Sequence, residues 1–223
     1  MISFKGRHHQ QDMILQCVRW YVAYGLSYRD LEELMQERGY AVDHSTIQRW
    51  VVHYAPRIEK AFRSNKKRTG VRWRLDETYV KIKGVWKYFY RAVDKHGDTV
   101  DFLLTAKRDT KAVRRFLTKA IGANGKPSLI NIDKSAANTA AIKQYNSDEN
   151  KRIKIRQCKY LNNIVEQDHR FIKRRIRPML GFKSFWSARA TLAGIEVWRM
   201  LKKGQNKSSL PVWQQFYSLA VTG

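Results

Sequence analysis

From Gln11 to Tyr24 apolar residues recur at helical spacing, at Ile14, Val18, Tyr21 and Val22, and Gly25 supplies a stop. Ser27-Tyr-Arg-Asp30 has the form of a capping box and predicts a second helix through Leu31, Leu34 and Met35, ending at Gly39. Asp43 or Ser45 can cap a third, in which Ile47, Trp50 and Val51 form an inward stripe while His44, Thr46, Gln48 and Arg49 face outward. Two short helices about a glycine turn predict a helix-turn-helix domain over residues 1–56; an ordinary helical hairpin would show the same pattern.

Beyond Val71 the period changes to that of strands. Val71 to Ile82 and Val85 to Val93, parted by Lys83-Gly84, form a hairpin, and the turn at Asp94 to Asp98 leads to a third strand, Thr99 to Thr105. A helix from about Asp109 to Ile121, an apolar strand from Ser128 to Ile132, a helix from about Ala136 to Tyr145, a strand at Arg152 to Arg156 and a last helix carrying Glu166 follow. The order βββαβαβα predicts an α/β fold over residues 71–180, a mixed sheet with helices on both faces. Residues 181–223 read as helices packed on that core, apolar at Phe185, Leu192, Ile195 and Trp198 and again at Trp213, Phe216 and Tyr217.

Between the two regions, eight of the eighteen residues from Arg57 to Arg74 are Lys or Arg and only Glu59 is acidic, so residues 57–70 are expected to be a basic linker. The whole chain shares this bias. Its 223 residues carry 44 Lys and Arg against 19 Asp and Glu, a formal charge of +25, which favours a polyanionic partner, nucleic acid before any other. A membrane role would want an apolar span of about 20 residues or an amphipathic anchor, and the sequence has neither. The first residues lack the apolar stretch of a secretory signal, so the cytosol is the expected compartment. Cys17 and Cys158 belong to no Cys-x-x-Cys pair, which argues against a disulfide framework or a zinc knuckle.

In so basic a chain, three carboxylates stand out: Asp76 within the first strand, Asp133 closing the fourth, and Glu166 on the last helix. Drawn together, they could hold divalent metal for cutting a phosphodiester. At 100° per residue, Arg170, Lys173 and Arg177 fall within roughly 40° of Glu166 on one polar stripe suited to phosphate. Each acid also has a plainer reading. Glu166 completes Asn163-x-x-Glu166, a capping box; Asp133 can cap a helix; Asp76 or its neighbour Glu77 can pair with Lys81 or Lys83. Asp94, Asp98 and Asp101 suit turn and edge-strand duty, and Asp168 falls within the apolar sector of the last helix. In the first region, Thr46, Gln48 and Arg49 would lie near base edges, with His44 and Ser45 on phosphate.

Several motifs together resemble the DDE-type transposases of compact bacterial insertion sequences, in the cointegrate-forming group. They are Phe4-Lys-Gly-Arg-His, Leu26-Ser-Tyr-Arg-Asp-Leu, Asp43-His-Ser-Thr-Ile-Gln-Arg-Trp, Asp76-Glu-Thr-Tyr-Val-Lys-Ile-Lys-Gly, Tyr90-Arg-Ala-Val-Asp, Tyr160-Leu-Asn-Asn-Ile-Val-Glu-Gln-Asp-His-Arg, and Gly181-Phe-Lys-Ser with Gly194-Ile-Glu-Val. The resemblance implies a ribonuclease H-like, integrase-like catalytic core preceded by a small all-α helix-turn-helix domain. It makes Asp76, Asp133 and Glu166 the catalytic and metal-binding triad and Lys173 the basic residue that follows the last acid. It further implies two Mg²⁺ ions, with Mn²⁺ as a possible substitute, double-stranded DNA at element ends and target, and at least a homodimer on DNA. The competing readings are a DNA-binding regulator with an inert nuclease-like domain and a structure-specific nuclease that cuts without joining.

Overall fold

The computed structural model describes residues 2–6 and 8–221, and divides into two compact units, Arg68–Lys173 and Met1–Lys67 with Arg174–Gly223. Arg7 of the Phe4 to His8 motif lies outside the described residues. In chain order the elements are α1 (Gln11–Ala23), α2 (Tyr28–Gln36), α3 (His44–Asn65), β1 (Arg72–Ile82), β2 (Val85–Asp94), β3 (Thr99–Thr105), α4 (Thr110–Asn124), β4 (Leu129–Ile132), α5 (Ala136–Asp148), β5 (Lys154–Gln157), a 3-10 turn (Lys159–Asn162), α6 (Asn163–Ile176), α7 (Phe185–Lys202) and α8 (Val212–Val221). Among the described residues no helix is long and apolar enough to cross a membrane.

In the helical unit α2 and α3 flank the turn at Gly39, as the spacing leads one to expect. Ser27 and Asp30 form the reciprocal capping box at the start of α2, and Gly39, at φ +78°, turns the chain toward α3, whose N-cap is Asp43. Ile47, Trp50 and Val51 are buried as the spacing requires. Two expectations are corrected. The stretch expected as linker is helical to Asn65: α3 runs through Pro56, because Tyr54, Ile58, Ala61 and Phe62 continue its apolar stripe, and that burial outweighs one missing backbone N–H. The C-terminal helices, expected on the catalytic core, belong to the helical unit, where α7 packs on α1 and α3. Gly194 permits the close approach: a Cβ there would stand 2.7 Å from Val22 Cγ1 and 3.0 Å from Ala55 Cβ. Phe4 stacks on Tyr54 with ring centroids 4.7 Å apart, fixing the N-terminal arm on α3.

The second unit is a five-stranded sheet in the order β3-β2-β1-β4-β5. The first three strands are an antiparallel meander, and β4 and β5 add in parallel beside β1. Lys83 and Gly84, both at positive φ, make the two-residue turn between β1 and β2. One face buries Trp73, Leu75, Tyr90 and Ala92 under Val113, Phe116 and Leu117 of α4 and Ala141 and Ile142 of α5. On the other face, Arg91 of β2 pairs with Asp168 of α6. The result is the mixed sheet with helices on both faces that the order of elements leads one to expect.

Candidate active site

The parallel pairing of β1 and β4 brings two of the three acids together. Arg74 is the register partner of Asn131. Asp76 and Asp133 each stand two residues further along, so they leave the two central strands at the same level and on the same side. A buried amide bridge anchors the third element. Asn131 Nδ2 donates to the Cys158 carbonyl at 2.9 Å and to Asn162 Oδ1 at 2.7 Å, and Asn162 Nδ2 reaches the Leu75 carbonyl at 3.5 Å. Asn162 immediately precedes α6, so this bridge ties the start of that helix to β4 and β1; Glu166 then lies exposed in its first turn.

The electrostatics record the convergence. Burial, the adjacent Glu77 carboxylate, and then Asp133 and Glu166 push the Asp76 carboxyl up to about 7. Asp133 Oδ1 is buried and accepts no hydrogen bond. Such an oxygen is costly to keep desolvated unless a cation or donor meets it. No oxygens chosen one from each of the three acids lie mutually within 4.8 Å; among the described residues that closeness belongs to Glu32, Asp43 and His44. Asp76, Asp133 and Glu166 therefore do not form a ready-made ligand cluster in the metal-free protein.

Several neighbours of this space were not singled out from sequence. Glu77, on the opposite face of β1 from Asp76, is ion-paired with Arg108 and accepts from Asn138 Nδ2 at 3.4 Å, in place of the expected Lys81 or Lys83. Burial, opposed by Arg108 and Asn138, leaves its carboxyl raised. An open pocket of about 380 Å³ beside Asp133 is lined by Arg108, Lys134 and Ser135. His169, three residues beyond Glu166, is buried with Nδ1 3.8 Å from Asp76 Oδ2. Its Nε2 lacks a hydrogen-bond partner. Burial first, then Arg91 and Lys173, pull its imidazole down to about 3, so it is neutral at physiological pH. The strict alternation of a strand was the signal available for Glu77; nothing local in sequence marks Asn131 or His169.

The basic candidates divide. Arg170 is exposed and Lys173 half-buried on α6, one and two turns beyond Glu166. Arg177 is not on that helix, which ends at Ile176 because Pro178 disfavours the helical conformation at the residue before it. On α3, Ser45, Gln48 and Arg49 are exposed and Thr46 half-buried, with Arg49 Nη2 donating to Thr46 Oγ1 at 2.8 Å. His44 is turned away from a phosphate-binding pose: its Nδ1 lies 2.8 Å from Glu32 Oε2 and 3.4 Å from Asp43 Oδ2, which pins α2 to the start of α3. Asp94 performs the turn duty expected of it, accepting from the backbone of Gly70, His96 and Asp98.

Comparison with known proteins identifies the family of the chain. A family profile for a DDE domain, of the IS240 type, matches residues 70–205. The transposase for insertion sequence-like element IS431mec of Staphylococcus aureus (strain N315) is 39% identical over 220 residues, covering 96% of this chain and 94% of that one. The transposase for insertion sequence element IS257 in transposon Tn4003, also from Staphylococcus aureus, is 38% identical over the same share. Among solved structures, the HTLV-2 integrase catalytic core domain in complex with magnesium (dimeric form) is similar at TM-score 0.47 and 19% identity, covering 68% of this chain and 98% of that one. With more than half its length inside the family profile and near-complete alignment to curated relatives, the chain belongs to the DDE transposases of bacterial insertion sequences.

Proposed function

We propose that Asp76, Asp133 and Glu166 hold two Mg²⁺ ions, with Mn²⁺ able to substitute, and that this site nicks the ends of the chain's own element and joins the freed 3′ ends to target DNA. The observation that carries the reading is the emergence of Asp76 and Asp133 at one level on parallel neighbours, with an unmet buried oxygen on Asp133. Hard carboxylate oxygens are the donors Mg²⁺ prefers, and these three acids are the residues that would hold such ions. When bound, the ions supply charge neutralisation at the phosphate and a more acidic attacking oxygen.

The side chains perform the remaining work. The Asp76 carboxyl, raised to about 7 in the metal-free protein, would have to be deprotonated to serve as a ligand. Water attacks the scissile phosphorus, the bond to the 3′ oxygen breaks, and that oxygen leaves protonated; in strand transfer the 3′-hydroxyl repeats the in-line displacement on target phosphorus, with no covalent enzyme intermediate. Arg170 and Lys173 hold phosphates of the strand being cut, and Arg177 contacts backbone further along. Ser45, Thr46, Gln48 and Arg49 of α3 bind the terminal inverted repeats through a major groove. His44 acts by fixing the two helices in relation to each other. Joining two ends to one target needs two such sites, so the working form is at least a dimer on DNA.

The test is incubation of the purified protein with Mg²⁺ and labelled duplex carrying the terminal repeats. Nicking at the repeat end and joined product are expected. Glu166→Gln should abolish both while retaining repeat binding; undiminished Mg²⁺-dependent nicking by that variant would refute the assignment.

A further inference from the structure

Within the helical unit, one side of α3 forms the wall of an open groove of about 900 Å³. Arg49, His53 and Arg57 follow one another along α3, and His8 and His9 of the N-terminal arm and Trp186 at the start of α7 also line the groove. Among the described residues no acidic side chain lines it. Trp186 is 61% exposed and its neighbour Phe185 38%, whereas Trp50 on the groove wall is buried.

A recognition helix is convex and enters the major groove of a duplex, about 12 Å wide. The feature here is concave. Its volume lies near the top of the roughly 300–1,000 Å³ range of ligand clefts, room for a few nucleotides and not for a duplex. Spaced cations along a groove with an exposed aromatic ring are what an unpaired strand needs: phosphates find the guanidinium groups, and a base finds a flat apolar surface. The three imidazoles add donors without negative charge.

We propose that this groove is a binding site for single-stranded DNA, with Trp186 stacking on an unpaired base and Arg57 on the flanking phosphate. The proposal rests on the reading of the chain as a DNA transposase and extends it: the same unit that binds the duplex repeat through the start of α3 also holds a short unpaired segment further along the helix.

The experiment measures fluorescence anisotropy of the full chain with two probes, a labelled single-stranded oligodeoxynucleotide of about eight nucleotides and a blunt duplex of the terminal repeat. Wild type binds both. Trp186→Ala weakens the single-stranded probe by roughly tenfold to a hundredfold and leaves the duplex within about twofold, and Trp186→Phe keeps most of the single-strand affinity. Equal single-strand binding by wild type and Trp186→Ala overturns the proposal, as does a parallel loss for both probes, which would make Trp186 part of the duplex interface. Tighter binding of an RNA oligomer of the same sequence overturns the choice of DNA. Failure of the transposase reading looks different, since then the duplex probe shows no preference for the repeat sequence.

Discussion

The guanidinium of Arg91 on β2 and the carboxylate of Asp168 on α6 meet at 2.6 Å with side-chain exposures of 0% and 5%. This pair explains an acid placed on the apolar side of α6: the sheet presents a buried cation exactly opposite it in charge, and the helix supplies the counter-ion. A buried pair is at best modest net stabilisation, because desolvation offsets attraction, but breaking it from one side leaves a charge in a low-dielectric interior. Asp168→Ala is therefore expected to cost about 3–5 kcal/mol, read as a lowered urea midpoint with unchanged m-value. The Arg91→Met/Asp168→Leu double variant should recover most of that loss. A single variant within about 0.5 kcal/mol of wild type would show that the pair does not hold α6 to the sheet.

Asp76 and His169 give stability opposite dependences on pH. The Asp76 carboxyl, raised to about 7, stabilises the metal-free fold below its unfolded value near 4, and that contribution is lost as pH rises through 7. The His169 imidazole, lowered to about 3, contributes above its unfolded value near 6.5, and that contribution is lost as pH falls toward 3. Each slope is worth at most about 4–5 kcal/mol from end to end, and between about pH 4 and 6.5 they oppose each other. In EDTA, Asp76→Asn should leave stability climbing with pH up to about 6.5, whereas His169→Asn should leave it falling from about 4 to 7. Denaturation midpoints across this range decide the matter; profiles that superpose on wild type would contradict the burial of both groups.

The Asn131 to Asn162 bridge predicts a link between packing and metal demand. Removing one partner leaves the other's buried amide unmet, so Asn162→Ala should cost about 1–3 kcal/mol. Because Asn162 adjoins the first turn of α6, Glu166 should also be less well placed, and half-maximal nicking should require more Mg²⁺. Replacing both asparagines by leucine can recover stability, since neither amide is then stranded. The raised Mg²⁺ requirement should persist in that double variant. A normal Mg²⁺ midpoint in both variants would reduce the bridge to a packing feature.

Much of this was legible from periodicity. The inward stripe of Ile47, Trp50 and Val51 and the first four strands follow from spacing that burial enforces, and the capping box at Ser27 from its residue types. The level at which Asp76 and Asp133 emerge needed one further fact, that β4 lies beside β1 in parallel, which is a property of topology. The misreadings have one origin. A helix is charged on its outer face whether or not it is a connector, so the Lys and Arg from Arg57 onward concealed the apolar stripe at Ile58, Ala61 and Phe62. Likewise α7 is apolar on most sides, and its own pattern does not say which unit it covers. His169 and Asn162 were invisible because a buried polar residue is defined by partners distant in sequence.

Gly194 tests the packing that joins the two ends of the chain into the helical unit. In an exposed helix, Gly→Ala stabilises by up to ~1 kcal/mol through helix propensity. Here the added methyl would stand 2.7 Å from Val22 Cγ1 and 3.0 Å from Ala55 Cβ, with α1 and α3 both fixed by their own buried stripes. Neither neighbour is the end of a long flexible side chain, so helices must separate, and such overpacking typically costs 1–3 kcal/mol. The clash should win: Gly194→Ala is expected to lower stability by about 1–2 kcal/mol net. The paired substitution Gly194→Ala/Val22→Ala should return most of the loss, because it removes the nearest methyl groups. Thermal melts of the two proteins measure the difference, and a stabilised single variant would mean that α7 does not lie as close to α1 and α3 as Gly194 allows.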